Sequence, residues 1–137
     1  MKKLQLLLLT LLIPFLGYTQ INTFPWVHDF ENQIGLEQDT TDDGDWLLKQ
    51  GATASFNTGP QGDHTTGVGT YFYVESSNPN FPGKTFITYT PEFDVSSTPG
   101  QVISFWYHMY GSSMGDLGIG IVDNNGYQFL DIISGDQ

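Results

Sequence analysis

Residues 101–110, QVISFWYHMY, and residues 117–133, LGIGIVDNNGYQFLDII, decide the fold class of this chain. The first stretch has apolar side chains on both alternating faces, which is typical of a central β-strand covered above and below. The second alternates apolar residues with glycine, turns at Asn-Asn-Gly and returns as a strand, which predicts a β-hairpin. Because Gly118 and Gly120 thin one face of this hairpin, we expect something large to lie against that face.

The preceding chain has the same short-strand pattern. Strands are predicted at 46–50, 71–75 and 85–90, and a glycine-rich loop is predicted at 57–69. No segment after residue 20 has sustained helical periodicity. We therefore predict an all-β fold, an antiparallel two-sheet jelly-roll sandwich. Trp46 and the aromatic residues of 105–107 are interpreted as core, and His108 as a core histidine with a hydrogen-bond partner.

The first 20 residues are typical of a secretory signal peptide. Two lysines precede an apolar run at 4–16, and small or polar residues follow. The run of about thirteen residues is shorter than the roughly 20 that a membrane span needs. The sequence thus predicts a signal peptide at 1–20 and a domain at 21–137. The protein is expected to be secreted or held at the cell surface, with no membrane span after cleavage.

Composition narrows the partners and the chemistry. The 137 residues include 15 acidic and 4 basic side chains, for a net charge of -11. Such a chain repels phosphate backbones, which argues against nucleic acid as a partner. The absence of cysteine excludes disulfides, cysteine-based zinc sites and thiol nucleophiles. No metalloprotease, serine-hydrolase or phosphate-loop motif is present, so no enzymatic activity is expected.

Three motifs follow one another along the chain. They are Asp29-Phe30-Glu31 with Asp45-Trp46, the stretch 58–76 that runs from TGPQGDHT to YFYVES, and FWYHMYG at 105–111. In this order they resemble the MAM domain, named for meprin, a neuronal surface antigen and receptor phosphatase mu, over residues 28–137. The resemblance implies a non-catalytic extracellular module for adhesion, recognition or oligomerisation, with a protein or cell-surface partner.

Compared with the family that it resembles, this chain is expected to differ in two ways. A complete domain of this type is longer and ends in further strands, so 21–137 is expected to be incomplete at its C-terminus. Animal members contain disulfides, and the corresponding positions here are His28 and a position near Ile34. Packing alone is then expected to hold the core.

Carboxylates in these motifs are candidate metal ligands. The resemblance implies one structural cation, calcium or sodium, which similar domains often hold near the motifs that contain Glu31 and Asp63, and Asp45 is a third candidate. Neutralising clustered carboxylates stabilises an acidic chain, and hard cations take oxygen ligands. Asp63 has a competing role as a turn residue that accepts backbone N–H groups. The loop at 39–44 is interpreted as a solvated acidic loop, not an EF-hand, since its twelfth position is Gln50.

Two alternative functions stay open. One is a carbohydrate-binding jelly roll, which would expose aromatic side chains on one concave face. The candidates for that face are Tyr71, Tyr73, Trp106 and Tyr110. The other alternative is an accessory domain of a secreted peptidase or glycosidase.

Overall fold

The computed structural model describes residues 20–32 and 34–137, and in this part of the chain all regular structure is β. The strands are β1 (Glu37–Gln38), β2 (Leu47–Gln50), β3 (Thr70–Tyr73), β4 (Thr88–Tyr89), β5 (Asp116–Asp123) and β6 (Gly126–Ser134). They form three separate antiparallel pairs, β1 with β4, β2 with β3, and β5 with β6. The predicted all-β, antiparallel fold class is confirmed. The predicted signal peptide lies outside the described residues except for Gln20.

The β5–β6 hairpin has the turn that the sequence predicts. Asp123 pairs with Gly126 across a two-residue loop, and Gly126 has a φ of 106°, which glycine adopts without steric cost. The glycine-thinned face is covered as expected. A Cβ on Gly118 would lie 2.4 Å from the Phe129 ring, and one on Gly120 would lie 2.7 Å from the Tyr127 ring. Aromatic side chains of β6 therefore occupy the space that the glycines of β5 leave open.

The strand predicted at 85–90 is shorter than expected, because the acidic loop takes part of its backbone. Only Thr88–Tyr89 pairs as a strand, with β1. The N–H groups of Thr85 and Ile87 instead donate to the carboxylates of Asp43 and Asp42. The interpretation of 39–44 as a purely solvated loop is thus wrong, since two of its carboxylates bind backbone across the sheet.

The central strand predicted at 101–110 is wrong for the described residues. No strand pairing involves these ten residues, and all of them except Met109 are exposed. Trp106 is 75% exposed and Val102 is 85% exposed, so the interpretation of 105–107 as core is also wrong. The reason is that burial needs a layer on each face, and the described contacts to this segment, including a ring stack on Trp106 and a hydrogen bond to His108, leave most of its surface exposed.

Apolar packing is concentrated near the N-terminal half of the described chain. The Phe72 ring stacks on Phe30 at 5.5 Å and on Trp46 at 5.3 Å between ring centroids. The Trp26 ring meets Phe93 edge-on at 5.3 Å. No described side chain is fully buried, so these rings form half-buried clusters rather than a closed core. No described helix is long and apolar enough to cross a membrane.

Candidate functional site

Asp63 organises the glycine-rich loop through four hydrogen bonds. Its Oδ2 accepts the backbone N–H groups of Thr65 at 3.0 Å and Thr66 at 2.8 Å. Its Oδ1 accepts the Thr66 hydroxyl and the Gly69 N–H, each at 2.7 Å. These bonds, the Thr66 hydroxyl first, lower the pKa of Asp63 to about 2. The turn role that the sequence indicates for Asp63 is therefore present, and it occupies about all the lone-pair positions that a carboxylate offers.

Glu31 reaches the same place from the N-terminal segment. Its Oε1 accepts the Thr70 N–H at 2.9 Å and its Oε2 accepts the Thr70 hydroxyl at 3.0 Å. A Cβ on Gly69 would lie 2.6 Å from Glu31 Oε1 and 3.1 Å from Asp63 Cγ, so both carboxyl groups flank this glycine. The structure thus brings two of the three predicted ligands together at the start of β3.

Asp45 stands apart from that pair. It is exposed and directly precedes Trp46. Within residues 20–32 and 34–137, no group of three or more His, Asp or Glu side chains is arranged to hold a metal ion. Glu31 is the better candidate metal ligand of the two. Its carboxylate accepts two hydrogen bonds and has acceptor positions left, whereas the Asp63 carboxylate already accepts four.

A second carboxylate cluster surrounds Glu75, which sequence reasoning missed as a polar site. Its Oε1 accepts the Ser77 N–H at 3.1 Å and the Ser77 hydroxyl at 2.7 Å. Its Oε2 accepts the Tyr73 hydroxyl, and the Ser55 hydroxyl lies 3.2 Å from the same oxygen. Burial alone would raise the pKa of Glu75, but bonds from Ser77, Tyr73 and Ser55 outweigh it and lower the pKa to about 2. The spacing of residues 73, 75 and 77 on one face of an extended chain could have revealed it.

The four aromatic residues considered for a sugar platform do not share one role. In β3, the Tyr71 hydroxyl donates to the Gly51 carbonyl at 2.7 Å, and the Tyr73 hydroxyl donates to Glu75. Trp106 and Tyr110 are exposed. The hydroxyl groups of Tyr71 and Tyr73 therefore make hydrogen bonds within the protein, whereas the side chains of Trp106 and Tyr110 are exposed to solvent.

Trp106 is joined to the Asp63 loop by a ring stack. The His64 ring lies 3.7 Å from the Trp106 ring, with 10° between their planes. Nearby, His108 Nε2 lies 2.7 Å from the Thr58 carbonyl oxygen. His108 is exposed, so its interpretation as a core residue is wrong, although it has a hydrogen-bond partner as expected. Both contacts attach the glycine-rich loop to the unpaired segment at 101–110.

A hydrogen bond joins His28, one of the positions where the resemblance suggests cysteine in animal relatives, to Ile34, near which the other position falls. His28 Nε2 lies 3.2 Å from the Ile34 carbonyl oxygen, and His28 Nδ1 accepts the Phe30 N–H at 3.1 Å. In this segment the two hydrogen bonds of the His28 ring therefore link residues 28, 30 and 34.

Asp63 and Glu75, the two carboxylates with the most hydrogen bonds described above, are poorly suited to proton transfer near neutral pH. A general base works best when its pKa lies near the working pH. Asp63 and Glu75 both have a pKa of about 2, far below that range. Their geometry is that of groups that hold loops in place.

Comparison with known proteins identifies the kind of domain. The family model described as MAM domain, meprin/A5/mu, matches residues 28–137. The chain is 42% identical over 89 residues to thyroid hormone-induced protein B of Xenopus laevis, an alignment that covers 65% of this chain and 13% of that protein. It is 34% identical over 119 residues to MAM domain-containing glycosylphosphatidylinositol anchor protein 1 of Mus musculus, which covers 79% of this chain and 12% of that protein.

A third relative, MAM domain-containing protein 2 of Mus musculus, is 34% identical over 90 residues, covering 65% of this chain and 13% of that protein. The chain therefore spans about an eighth of the length of these curated relatives. No solved structure matches the chain.

Proposed function

Because the chain belongs to the MAM domain family, we propose that it acts outside the cell, secreted or at the cell surface, as a non-catalytic recognition module that binds a protein partner. The observation that carries this proposal is the family match over residues 28–137. The signal-peptide pattern at 1–20 and the anchored relative support the same location. The acidic net charge of -11 supports a protein partner over nucleic acid.

The surface that we propose for this contact is the exposed aromatic segment, residues 101–110. It contains no Asp, Glu, Lys or Arg side chain, in a chain that is otherwise strongly acidic. The centres of protein interfaces are depleted in charge and enriched in aromatic residues. Trp106 is 75% exposed and Tyr110 is 50% exposed, so both are accessible to a partner.

The test is adhesion of beads coated with the full exported chain to cells of the source organism. We expect adhesion that is lost when the cells are treated with protease and kept when they are treated with glycosidases. Trp106→Ser should reduce adhesion several-fold, whereas Phe56→Ser, at a residue that is 88% exposed outside the segment, should not. Adhesion that survives protease treatment would contradict a protein partner.

The same experiment addresses the carbohydrate alternative, which one observation favours. The Trp106 ring is exposed while the His64 ring is stacked on it at 3.7 Å, and such a fixed aromatic surface is able to stack on a sugar ring. If glycosidase treatment abolishes adhesion and free glycans compete for it, the partner is a glycan. An accessory role beside a secreted peptidase or glycosidase would instead appear as loss of that enzyme's substrate binding when this domain is deleted.

We also propose that Glu31, with Asp63, binds one hard cation, calcium or sodium. Glu31 retains free acceptor positions and lies beside a second carboxylate, which suits a cation that takes oxygen ligands. Glu31 would be the main ligand of the bound cation, because the carboxylate oxygens of Asp63 already accept hydrogen bonds from its own loop. Asp45 is the third candidate and is included in the test.

Thermal unfolding with calcium, with sodium and with chelator at constant ionic strength tests this proposal. A ligand present at about 100 times its dissociation constant stabilises the folded chain by about 2.7 kcal/mol. We expect Glu31→Gln to remove that gain. Asp45→Asn decides whether Asp45 contributes, because it should reduce the gain only if Asp45 is a ligand. A melting temperature that is the same in all three solutions would contradict cation binding.

A further inference from the structure

His28 uses both of its ring nitrogens within the N-terminal segment. Its Nδ1 accepts the Phe30 N–H at 3.1 Å, and its Nε2 lies 3.2 Å from the Ile34 carbonyl oxygen. A backbone N–H only donates and a carbonyl oxygen only accepts, so Nδ1 must be bare and Nε2 must carry the hydrogen. Both bonds together therefore require the neutral ring in one tautomer.

Phe30 needs this support because its backbone is in an unfavourable conformation. Its φ is 60°, in the left-handed region that bulky residues rarely adopt. Local strain of this kind persists only where surrounding contacts hold it. Here the contacts are the N–H bond to His28 and the stack of the Phe30 ring on Phe72, with 15° between the planes.

The turn at Phe30 determines where the next side chain goes. The Glu31 N–H donates to Asp29 Oδ1 at 3.0 Å, which fixes the backbone on the far side of the turn. The Glu31 carboxylate then accepts both the N–H and the hydroxyl of Thr70, the first residue of β3. The chain of contacts runs from the His28 ring through Phe30 and Glu31 to β3.

We propose that His28 is a protonation-sensitive clasp that positions Glu31 on β3. The neutral ring holds Phe30 in its turned conformation and thereby directs the Glu31 carboxylate to Thr70. Protonation puts a hydrogen on Nδ1, which can then no longer accept the Phe30 N–H. Because release takes up a proton, falling pH favours the released form.

Among the residues that the structure describes, few titratable groups lie beside His28. The groove beside it is lined by Ile21, Trp26, Val27, Asp29, Asn32, Ile34, Gly35 and Pro91. Asp29 is the one titratable group among these lining residues besides His28 itself. The rings that contact His28 belong to Trp26 at 5.7 Å and Phe30 at 4.9 Å, and neither is titratable. Glu31 lies in the same segment, with its carboxylate committed to Thr70.

The test is a pH titration of backbone amide signals of the full chain by nuclear magnetic resonance between pH 7.5 and 5.0. We expect the Phe30 and Thr70 amide signals to shift together, with the same midpoint as the His28 ring protons. In His28→Asn the side-chain oxygen takes the position of Nδ1 as an acceptor but does not titrate. The two amide signals should then stay at their high-pH positions throughout.

Two further variants keep the test decisive. His28→Ala has no acceptor, so its Thr70 signal should lie at the low-pH position at every pH. His108→Asn is the matched control, because His108 also faces a carbonyl oxygen through Nε2, which donates whether or not the ring is protonated. It should leave the Thr70 titration unchanged. A Thr70 signal that does not move in the unmodified chain, or that moves equally in His28→Asn, would overturn the proposal.

Discussion

The molecule has two regions that use their side chains in opposite ways. In the carboxylate-tied region, residues 28–32 and 37–89, acidic side chains bind backbone and hydroxyl donors of their own loop or of other segments, and Asp63 alone accepts four hydrogen bonds. In the aromatic region, residues 101–137, the longest of the described strands pair well, yet most side chains are exposed. Trp46 in the first region is half-buried, whereas Trp106 in the second is 75% exposed.

This difference shows that polar satisfaction and apolar burial have different requirements. A carboxylate can be satisfied by donors two or three residues away, as Asp63 is by Thr65 and Thr66. An apolar strand gains stability only when a second layer covers it. A region can therefore have well-formed hydrogen bonds and still leave its apolar side chains available to a partner.

The two tryptophans give the largest expected contrast. Trp46→Ala should cost about 3 kcal/mol of unfolding free energy, at the low end for loss of a large aromatic side chain, since it removes the stack on Phe72 and the bond from the indole N–H to the Phe86 carbonyl. Trp106→Ala should cost less than about 1 kcal/mol, because surface substitutions change stability little. Urea unfolding followed by circular dichroism measures both.

Equal costs for the two substitutions would break the comparison. They would mean that segment 101–110 is covered in solution, by another part of the molecule or by another copy. The effect on partner binding is expected to have the opposite order, with Trp106→Ala more harmful than Trp46→Phe.

Sequence reasoning succeeds where the structure is set by local chemistry. The β5–β6 hairpin follows from alternation and from an Asn-Gly turn, and glycines at 118 and 120 correctly predict large side chains opposite them. In this hairpin the residues concerned carry the signal themselves. The cation site at Glu31, Asp63 and Asp45 rests on the family resemblance and stays a prediction.

The errors come from partners that lie far away in sequence. Alternation in 101–110 reports that these side chains are apolar, but not whether another layer covers them. The carboxylates of Asp42 and Asp43 look solvated in sequence, and only the fold places the N–H groups of Ile87 and Thr85 beside them. The His28 clasp depends on a left-handed turn at Phe30, which no propensity predicts for a phenylalanine.

Glycine substitutions in β5 test how tightly the aromatic region is built. Gly120→Ala should cost about 1–3 kcal/mol through overpacking, because its Cβ would lie 2.7 Å from the Tyr127 ring and 2.8 Å from the Gln128 backbone oxygen. Gly118→Ala should cost less, because its Cβ meets only the Phe129 ring, which can turn away. Gly115→Ala is the control, with no atom within 4 Å.

The order of these three costs carries the argument. If Gly120→Ala is as harmless as Gly115→Ala, then the β6 rings do not lie over β5 in solution. Combining Gly118→Ala with Phe129→Ala should restore the hairpin signal, measured by amide hydrogen exchange of β5, if the ring alone causes the clash.

Low pH should destabilise the carboxylate-tied region more than the aromatic region. We expect this effect on stability to be smaller than those of Trp46→Ala and Gly120→Ala. The pKa of Glu75 is about 2 in the folded chain against an ordinary value of 4.5, and that of Asp63 is also about 2. A carboxylate with a lowered folded pKa stabilises the fold fully above its unfolded pKa, and this contribution is lost as pH falls from about 4.5 toward 2. Solvent screening keeps the effect below that of Gly120→Ala.

Amide hydrogen exchange at pH 5 and pH 3, corrected for intrinsic rates, locates this loss. Protection of β2–β3 amides should fall relative to that of β5–β6, because Tyr73 and Ser55 donate to Glu75 while the hairpin turn depends on no carboxylate of that cluster. Glu75→Gln should reduce the pH dependence of β2–β3, and Glu37→Gln, at an exposed residue of β1, should leave it unchanged. Equal loss of protection in both regions would show that they unfold as one unit, because a group confined to one region can lower the stability of the other only when the two are cooperatively coupled.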